Sequence, residues 1–436
     1  MDRRRPLRRI ACSLGLAAVV IGALTGPSGA TPVVARYELA PNLKLTTTRE
    51  PTEPLEIRKL VWTPGASTAP DIGPASSRYP MYTLTSKMSS AAGAVVGVNG
   101  DFGTSVRQPA HVLMIDGELW TTGQRPGNAI AWSENGRTMY IGHPRLGIRA
   151  FNASTGTNLF GIAEWNARLP TTSTVAAYTS RGGAVTVPPG VASPTTQDPV
   201  WCEARLEPSS GARWSNATRR SIVRAYVVTA QPDPCQRTSL PVGTTAGAVV
   251  LASAYASSVK NPVKDLSVGT PVKLRWTLAE WPGATDVMGG GQMLVEKGVN
   301  VAPPYVSGSP HILDYNPRTG VGIRRGCSDL DPVTVCRLIL ETVDGRQAST
   351  GWSVGVRLPW LADSLLHAGA WMALNLDGGG STTMWTSKTN PLYCQSFPTI
   401  GGCLVQRPSQ PTGERATRSA IVILPNADTG APSGLR

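Results

Sequence analysis

The sequence predicts a mixed α/β (α+β) fold: a mixed-sheet core with helix–strand–loop units and an inserted β-rich segment. Three observations carry that expectation. Leu338 to Val343 is a strand-like run that ends at Asp344-Gly345. Leu358, Leu361, Ala362, Leu365 and Leu366 then follow the spacing of one buried helix face. Trp371 to Leu376 is a second strand-like run, and it leads into the polar loop Asp377-Gly378-Gly379-Gly380-Ser381. Gly369 stands between helix and strand, where a left-handed stop belongs.

The 436 residues, 41% hydrophobic and 16% charged, exclude a disordered or fibrous chain. Residues 1–30 read as a signal peptide: five arginines within the first nine residues, the apolar run Ile10 to Leu24, and small residues near Ala30. That run is shorter than the 18 or so residues a membrane-spanning helix needs, so export without a stable membrane anchor is expected. Its removal leaves 36 basic against 27 acidic residues, a net charge of +9. A basic exported surface favours anionic partners such as cell-wall or surface glycans bearing phosphate. Nucleic acid is disfavoured because the basic residues are scattered and no recognition motif is present.

Six cysteines remain beyond Cys12. Fifteen pairings are possible, and the separations suggest the sequential one: Cys202 with Cys235, Cys327 with Cys336, Cys394 with Cys403. A zinc site is the competing reading, but C-x-x-C is absent and the four histidines lack metal spacing.

Residues 31–80 read as a poorly structured lead-in holding one strand, Leu55 to Trp62. Residues 81–425 form the main domain, with a β-rich internal segment over 150–285, and 426–436 form a tail. Within the domain, Tyr82 to Ala92 suits a helix and Ala94 to Val98 a strand. Short apolar runs cut by Gly, Pro and Asn over 110–290 argue for antiparallel sheet.

Residues 92–101 match residues 368–377 at a constant offset of 276, with five identities and a shared Asn-x-Asp at the end. If the two strands lie side by side, Asn99, Asp101, Asn375 and Asp377 surround one cleft. Glycines after Asp377 let backbone amides approach an anion. A nucleotide P-loop is rejected because no Gly-Lys-Ser/Thr follows. The triplet Gly289-Gly290-Gly291 reads as a hairpin or bulge. Arg318 beside Thr319, and Arg415 beside Glu414, offer forks for phosphate oxygens. Gly351-Trp352-Ser353-Val354-Gly355 fits the G-x-S-x-G pattern but lacks a strand directly before it and a helix directly after it. Of the four histidines, His311 is kept as a proton donor, His367 suits a helix C-terminus, and His111 and His143 are set aside. The twelve tryptophans, against four phenylalanines, are read mainly as core.

Ala373-Leu374-Asn375-Leu376-Asp377-Gly378-Gly379-Gly380-Ser381-Thr382-Thr383-Met384 resembles the phosphodiester glycosidases related to the lysosomal uncovering enzyme. Val98 to Phe102, Met288 to Gly298, Pro317-Arg318-Thr319 with Gly322, and Glu414-Arg415 occur in the family's order. The resemblance covers about residues 40–425. It implies hydrolysis of a sugar-1-phosphodiester at the glycosidic bond, giving free sugar and a phosphomonoester. With it, Asp377 is expected as nucleophile or base and Asn99 and Glu414 as further catalytic candidates, and the Asn-x-Asp repeat adds Asp101. Arg318, Thr319, Asn375, Gly378, Gly379, Gly380, Ser381, Arg415 and His311 would bind sugar or phosphate. No cofactor is required, although Asp101 and Asp377 are oxygen ligands that could hold calcium. The family often has a second glycine where this chain has Asp101, and an aromatic where it has Gly103. A non-catalytic binding module for wall phosphodiesters is the alternative.

Overall fold

A computed structural model describes most of residues 32–425; the longest stretches left out are 183–200, 304–313 and 328–335. The signal segment, the tail, His311 and Cys394 lie outside the described residues.

The fold is mostly β, which corrects the mixed α/β expectation. Among the described residues two α-helices, Thr85–Ala91 and Leu358–His367, stand among strands arranged in sheets of eight, nine, five and six. The strand–helix–strand unit invited the α/β reading. Both its strands, Leu338–Val343 and Met372–Asn375, pair antiparallel with Arg318–Ile323, which lies between them. The helix therefore crosses over one intervening strand of an antiparallel sheet, and no βαβ layer is built. Among the described pairings, only Glu164–Trp165 with Ala176–Thr179 is parallel.

Residues 32–80 also differ from expectation. They contribute Val33–Ala40, Leu43–Glu50, Leu55–Trp62 and Thr68–Pro74. In Leu43–Glu50 the side chains of Leu43, Leu45 and Thr47 are buried on alternate positions. A threonine-rich segment reads as loop by composition, yet β-branched threonine suits a half-buried pleat.

Period-two alternation explains how the sheets stack. In the five-stranded sheet Leu113, Ile115, Ile130, Trp132 and Met288 face a core shared with Trp62, Val98, Leu374 and Ile421 of the eight- and six-stranded sheets. Their neighbours Met114, Ala129, Ala131 and Val287 face the opposite way, onto Tyr226, Leu274 and Trp276 of the nine-stranded sheet. That nine-stranded sheet takes every strand from Leu146–Asn152 to Pro271–Leu278.

Helix Leu358–His367 buries Leu358, Leu361, Ala362 and Leu365, the predicted stripe, with Leu366 partly buried. Both helices end in the same way. The amides of Gly93 and Ala94 bond to the carbonyls of Ser90 and Ser89, and those of Gly369 and Ala370 to Leu366 and Leu365. Gly93 (φ 68°) and Gly369 (φ 93°) are left-handed, as a Schellman stop requires. The repeat seen in the sequence is thus a repeat of geometry. Disulfides join Cys202 to Cys235 and Cys327 to Cys336. Cys403 is buried.

Candidate active site

The two matching strands do not lie side by side. Val96–Asn99 runs between Met384–Thr386 and Ser419–Pro425 in the six-stranded sheet. Met372–Asn375 runs between Arg318–Ile323 and Met293–Glu296 in the eight-stranded sheet. Only their tips meet: the Asp377 amide donates to the Gly100 carbonyl at 3.1 Å, and Asn99 Nδ2 donates to the Asp377 carbonyl at 2.6 Å. Two facing sheets of one core bring their strand ends together there, so the expected meeting of loops holds although the expected strand pairing does not.

The glycine triplet read as a hairpin makes that meeting possible. A Cβ on Gly289 would stand 2.2 Å from His111 Cβ, one on Gly290 2.6 Å from Leu374 Cδ2, and one on Gly291 2.9 Å from the Phe102 ring. Side chains here would hold the two tips apart.

Asp377 is the centre of the second tip. Its Oδ1 accepts the Gly378 amide at 2.9 Å, and its Oδ2 accepts Ser381 Oγ–H at 2.6 Å. Arg415 Nη2 stands 3.6 Å from Oδ2. The same guanidinium donates to Ser381 Oγ from Nε at 2.9 Å and from Nη2 at 2.6 Å, and to the Gly378 carbonyl. Burial raises the pKa of Asp377; Ser381 and Arg415 oppose the rise, and the nearby charge of Asp101 adds to it. The result is a carboxylate more basic than an exposed one, with its side chain still 18% accessible.

Asp101, at the first tip, is buried and holds a histidine that the sequence reading set aside. His111 Nδ1 lies 2.7 Å from Asp101 Oδ1, and the His111 amide donates to Oδ2 at 2.9 Å. Burial alone would lower the His111 pKa, but the hydrogen bond and charge of Asp101 outweigh it, so the pKa is raised above 6.5. Ten residues separate the pair, a spacing with no motif attached to it. The usable signal was Gly289, whose bareness is explained by the imidazole.

Several predicted ligands are occupied within the protein. The Asn99 Oδ1 accepts Thr319 Oγ1–H at 2.8 Å and the Thr383 amide at 3.0 Å, while its Nδ2 clamps the Asp377 carbonyl. Asn99 and Thr319 therefore build the site and do not face a ligand. The Gly378 amide is spent on Asp377, and that of Gly379 on the Pro317 carbonyl at 2.9 Å. Of the predicted amide cradle, only the Gly380 amide is left to consider. Arg318 is buried, with Nε on the Val356 carbonyl and Nη2 on the Asp314 carbonyl. Burial, together with the positive Arg346, lowers its pKa to about 10. It contributes positive potential more than an open fork. Glu414 accepts the Ser86 amide at 2.9 Å and Ser86 Oγ–H at 2.5 Å, so it caps the first helix.

Asn375 differs from its counterpart. Its Nδ2 donates to Gln292 Oε1 at 2.9 Å, and its Oδ1 is buried with no partner among the described residues. A buried acceptor of that kind calls for a donor.

Ser353, of the G-x-S-x-G pattern, is buried and donates to the Asp344 carbonyl. Among the described residues Asp71, Asp116 and Asp286 form a group of three acids close enough to share a cation. A hollow of about 680 Å³, lined partly by Gly93, Val95 and Trp385, opens at the other end of strand Val96–Asn99, away from these carboxylates.

The site thus gathers two carboxylates, an imidazole and two guanidiniums where strand ends of two sheets of a mostly β protein converge. Residues 230–424 match the family model described as phosphodiester glycosidase, so the resemblance read from the sequence holds over the segment carrying Arg318, Asp377 and Arg415. Among solved structures, a hypothetical protein from Synechocystis aligns at 17% identity with a TM-score of 0.63. The alignment covers 90% of this chain and 64% of that one. A Burkholderia pseudomallei protein named for export aligns at 20% identity with a TM-score of 0.57, covering 87% and 74%. These likenesses extend to the fold alone. The catalytic domain of zebrafish N-acetylglucosamine-1-phosphodiester alpha-N-acetylglucosaminidase aligns at 13% identity, covering 90% and 82%, with a TM-score of only 0.38. No curated protein matches the chain.

Proposed function

We propose that this protein is an exported phosphodiester glycosidase that hydrolyses the bond between an anomeric carbon and a phosphodiester oxygen. The observation that carries the reading is the Asp377 carboxylate, made basic by burial and flanked by Arg415 and Ser381 within the family-matching segment. Export is supported by the leader-like residues 1–30 and the two disulfides.

In this reading Asp377 attacks the anomeric carbon or removes a proton from the water that does. The C1–O bond breaks, its electron pair leaves with the phosphate, and the water oxygen ends on the sugar. A phosphomonoester leaves readily, so charge stabilisation matters more than protonation. Arg415, 36% exposed at its outer edge, and the more deeply set Arg318 supply that charge. The imidazolium of His111, oriented by Asp101, takes the role of proton donor that the sequence reading gave to His311. The orphan Asn375 Oδ1 accepts a sugar hydroxyl. Asn99 is a positioning residue.

The test is release of free sugar from a panel of glycosyl-1-phosphodiesters by the wild type and by Asp377→Asn. Turnover lost in the variant supports the reading. Saturable binding of the panel with no turnover by the wild type would instead indicate a binding module.

A further inference from the structure

Beside Asp377 lies a group of side chains that the reaction as described does not use. Tyr82 is 44% exposed, and the guanidinium carbons of Arg107 and Arg418 each stand 5.0 Å from its ring centroid. Arg418 Nη2 donates to the Thr104 carbonyl at 2.9 Å, while its Nε is buried with no partner among the described residues. Arg418 can lie there because residue 103 is glycine: a Cβ at that position would stand 2.1 Å from Arg418 Nε. Arg107 is held in a left-handed backbone (φ 59°), an uncommon state for a residue with a side chain. Its amide bonds to the Thr104 carbonyl, and its carbonyl accepts the Met81 amide. Among the described residues no carboxylate comes within ion-pair distance of either guanidinium, which sets them apart from Arg58 or Arg181.

The placement ties this group to the site. The loop Gly100 to Thr104 touches Asp377 through the Gly100 carbonyl and Arg418 through the Thr104 carbonyl. Burial lowers the Arg418 pKa, the negative charge of Asp377 opposes that, and Arg415 and Arg107 add to it, so Arg418 feels the charges of both the site and Arg107. Two guanidiniums oriented by one ring, with Arg415 nearby, suit an anion richer in charge than a single phosphodiester.

We propose that Tyr82, Arg107 and Arg418 form a second anion subsite that takes an additional phosphoryl group on the leaving-group side. Resting on the phosphodiester reading above, this makes the preferred substrates glycosyl phosphodiesters whose aglycone carries its own phosphate.

Two measurements test it. Inorganic pyrophosphate is titrated calorimetrically into the full chain carrying the native sequence, Arg107→Gln, Tyr82→Leu or Arg145→Gln. Arg145 is 76% exposed and paired with Glu280, so its variant is a control for bulk charge. The expected result is binding weakened about tenfold or more by Arg107→Gln and Tyr82→Leu, unchanged by Arg145→Gln, and reduced by salt. No binding, or equal weakening in all three variants, overturns the subsite.

In the second measurement the sugar is held constant while the leaving group is methyl phosphate or a phosphate ester bearing a terminal phosphate. The wild type should favour the latter about tenfold or more in kcat/KM, and Arg107→Gln should bring the ratio close to one. Equal turnover of both by the wild type overturns the subsite and leaves the glycosidase reading standing. Turnover of neither overturns the glycosidase reading, and the pyrophosphate titration still decides the subsite.

Discussion

The two helix–glycine–strand units that end in Asn-x-Asp share a Schellman stop and a strand tip, yet their polar side chains do different work. In the first, Asn99 spends both ends of its carboxamide on Thr319, Thr383 and the Asp377 carbonyl, and Asp101 turns to His111. In the second, Asn375 keeps an unpartnered oxygen, and Asp377 sits between Ser381 and Arg415 with part of its side chain open. Similar backbones need not mean similar roles. In the proposed reaction the first unit builds and tunes, while the second meets the substrate.

The largest expected effect of breaking that division comes from Asp377→Asn, which should lower kcat by at least about a hundredfold. Stability should move the other way. A carboxyl whose pKa is raised in the fold stabilises it fully only below the unfolded pKa, and that contribution is lost as pH rises through the folded value. Ionising Asp377 as pH rises therefore costs stability, so at pH values where it is ionised the Asn variant should melt at an equal or higher temperature, with the gap closing as pH falls toward the usual carboxylate range. Thermal unfolding across pH measures this.

The first unit's part is sharpened by Asp101→Asn and His111→Gln, each expected to cost about tenfold to a hundredfold in kcat/KM. Asp101 is what raises the His111 pKa against burial. With His111 acting as an acid, wild-type activity should fall as pH climbs through a value above 6.5, and Asp101→Asn should move that alkaline limb to lower pH. A limb that stays in place would mean His111 carries no proton in the reaction.

The two asparagines give the most direct contrast within the repeat. Asn99→Ala orphans a buried hydroxyl, an amide and a carbonyl and should destabilise by about 2–4 kcal/mol. Asn375→Ala removes an already unpartnered oxygen and should cost under about 1.5 kcal/mol, while raising KM. Chemical denaturation alongside kinetics separates the two. The smallest effect is expected from Glu414→Ala, about 1 kcal/mol of lost helix capping with little change in turnover.

What could be read from the sequence follows the range of the forces involved. Leu55–Trp62 and Leu338–Val343 matched their apolar runs, and helix Leu358–His367 followed from its 3.6-residue stripe, because these depend on local periodicity. The mixed α/β expectation failed because a strand–helix–strand string does not reveal that Arg318–Ile323 is inserted between its strands. Asp377, Ser381 and Arg415, expected at one site because each lies in or beside a glycine-bounded motif, do lie together. The helix-capping contact of Glu414 could not be read from the sequence because its partner, Ser86, is 328 positions away. Bare glycine at 127 and 289 is the trace His111 leaves in the sequence, but only the folded chain shows its side chain packed against both.

The division of labour between the two units rests on Asp377 directing attack at carbon and not at phosphorus. Hydrolysis of a glycosyl-1-phosphodiester in oxygen-18 water, with both products weighed by mass spectrometry, tests that directly. The account predicts the heavy oxygen in the released sugar and none in the phosphomonoester, with both signals lost in Asp377→Asn. Label found in the phosphate product would contradict it.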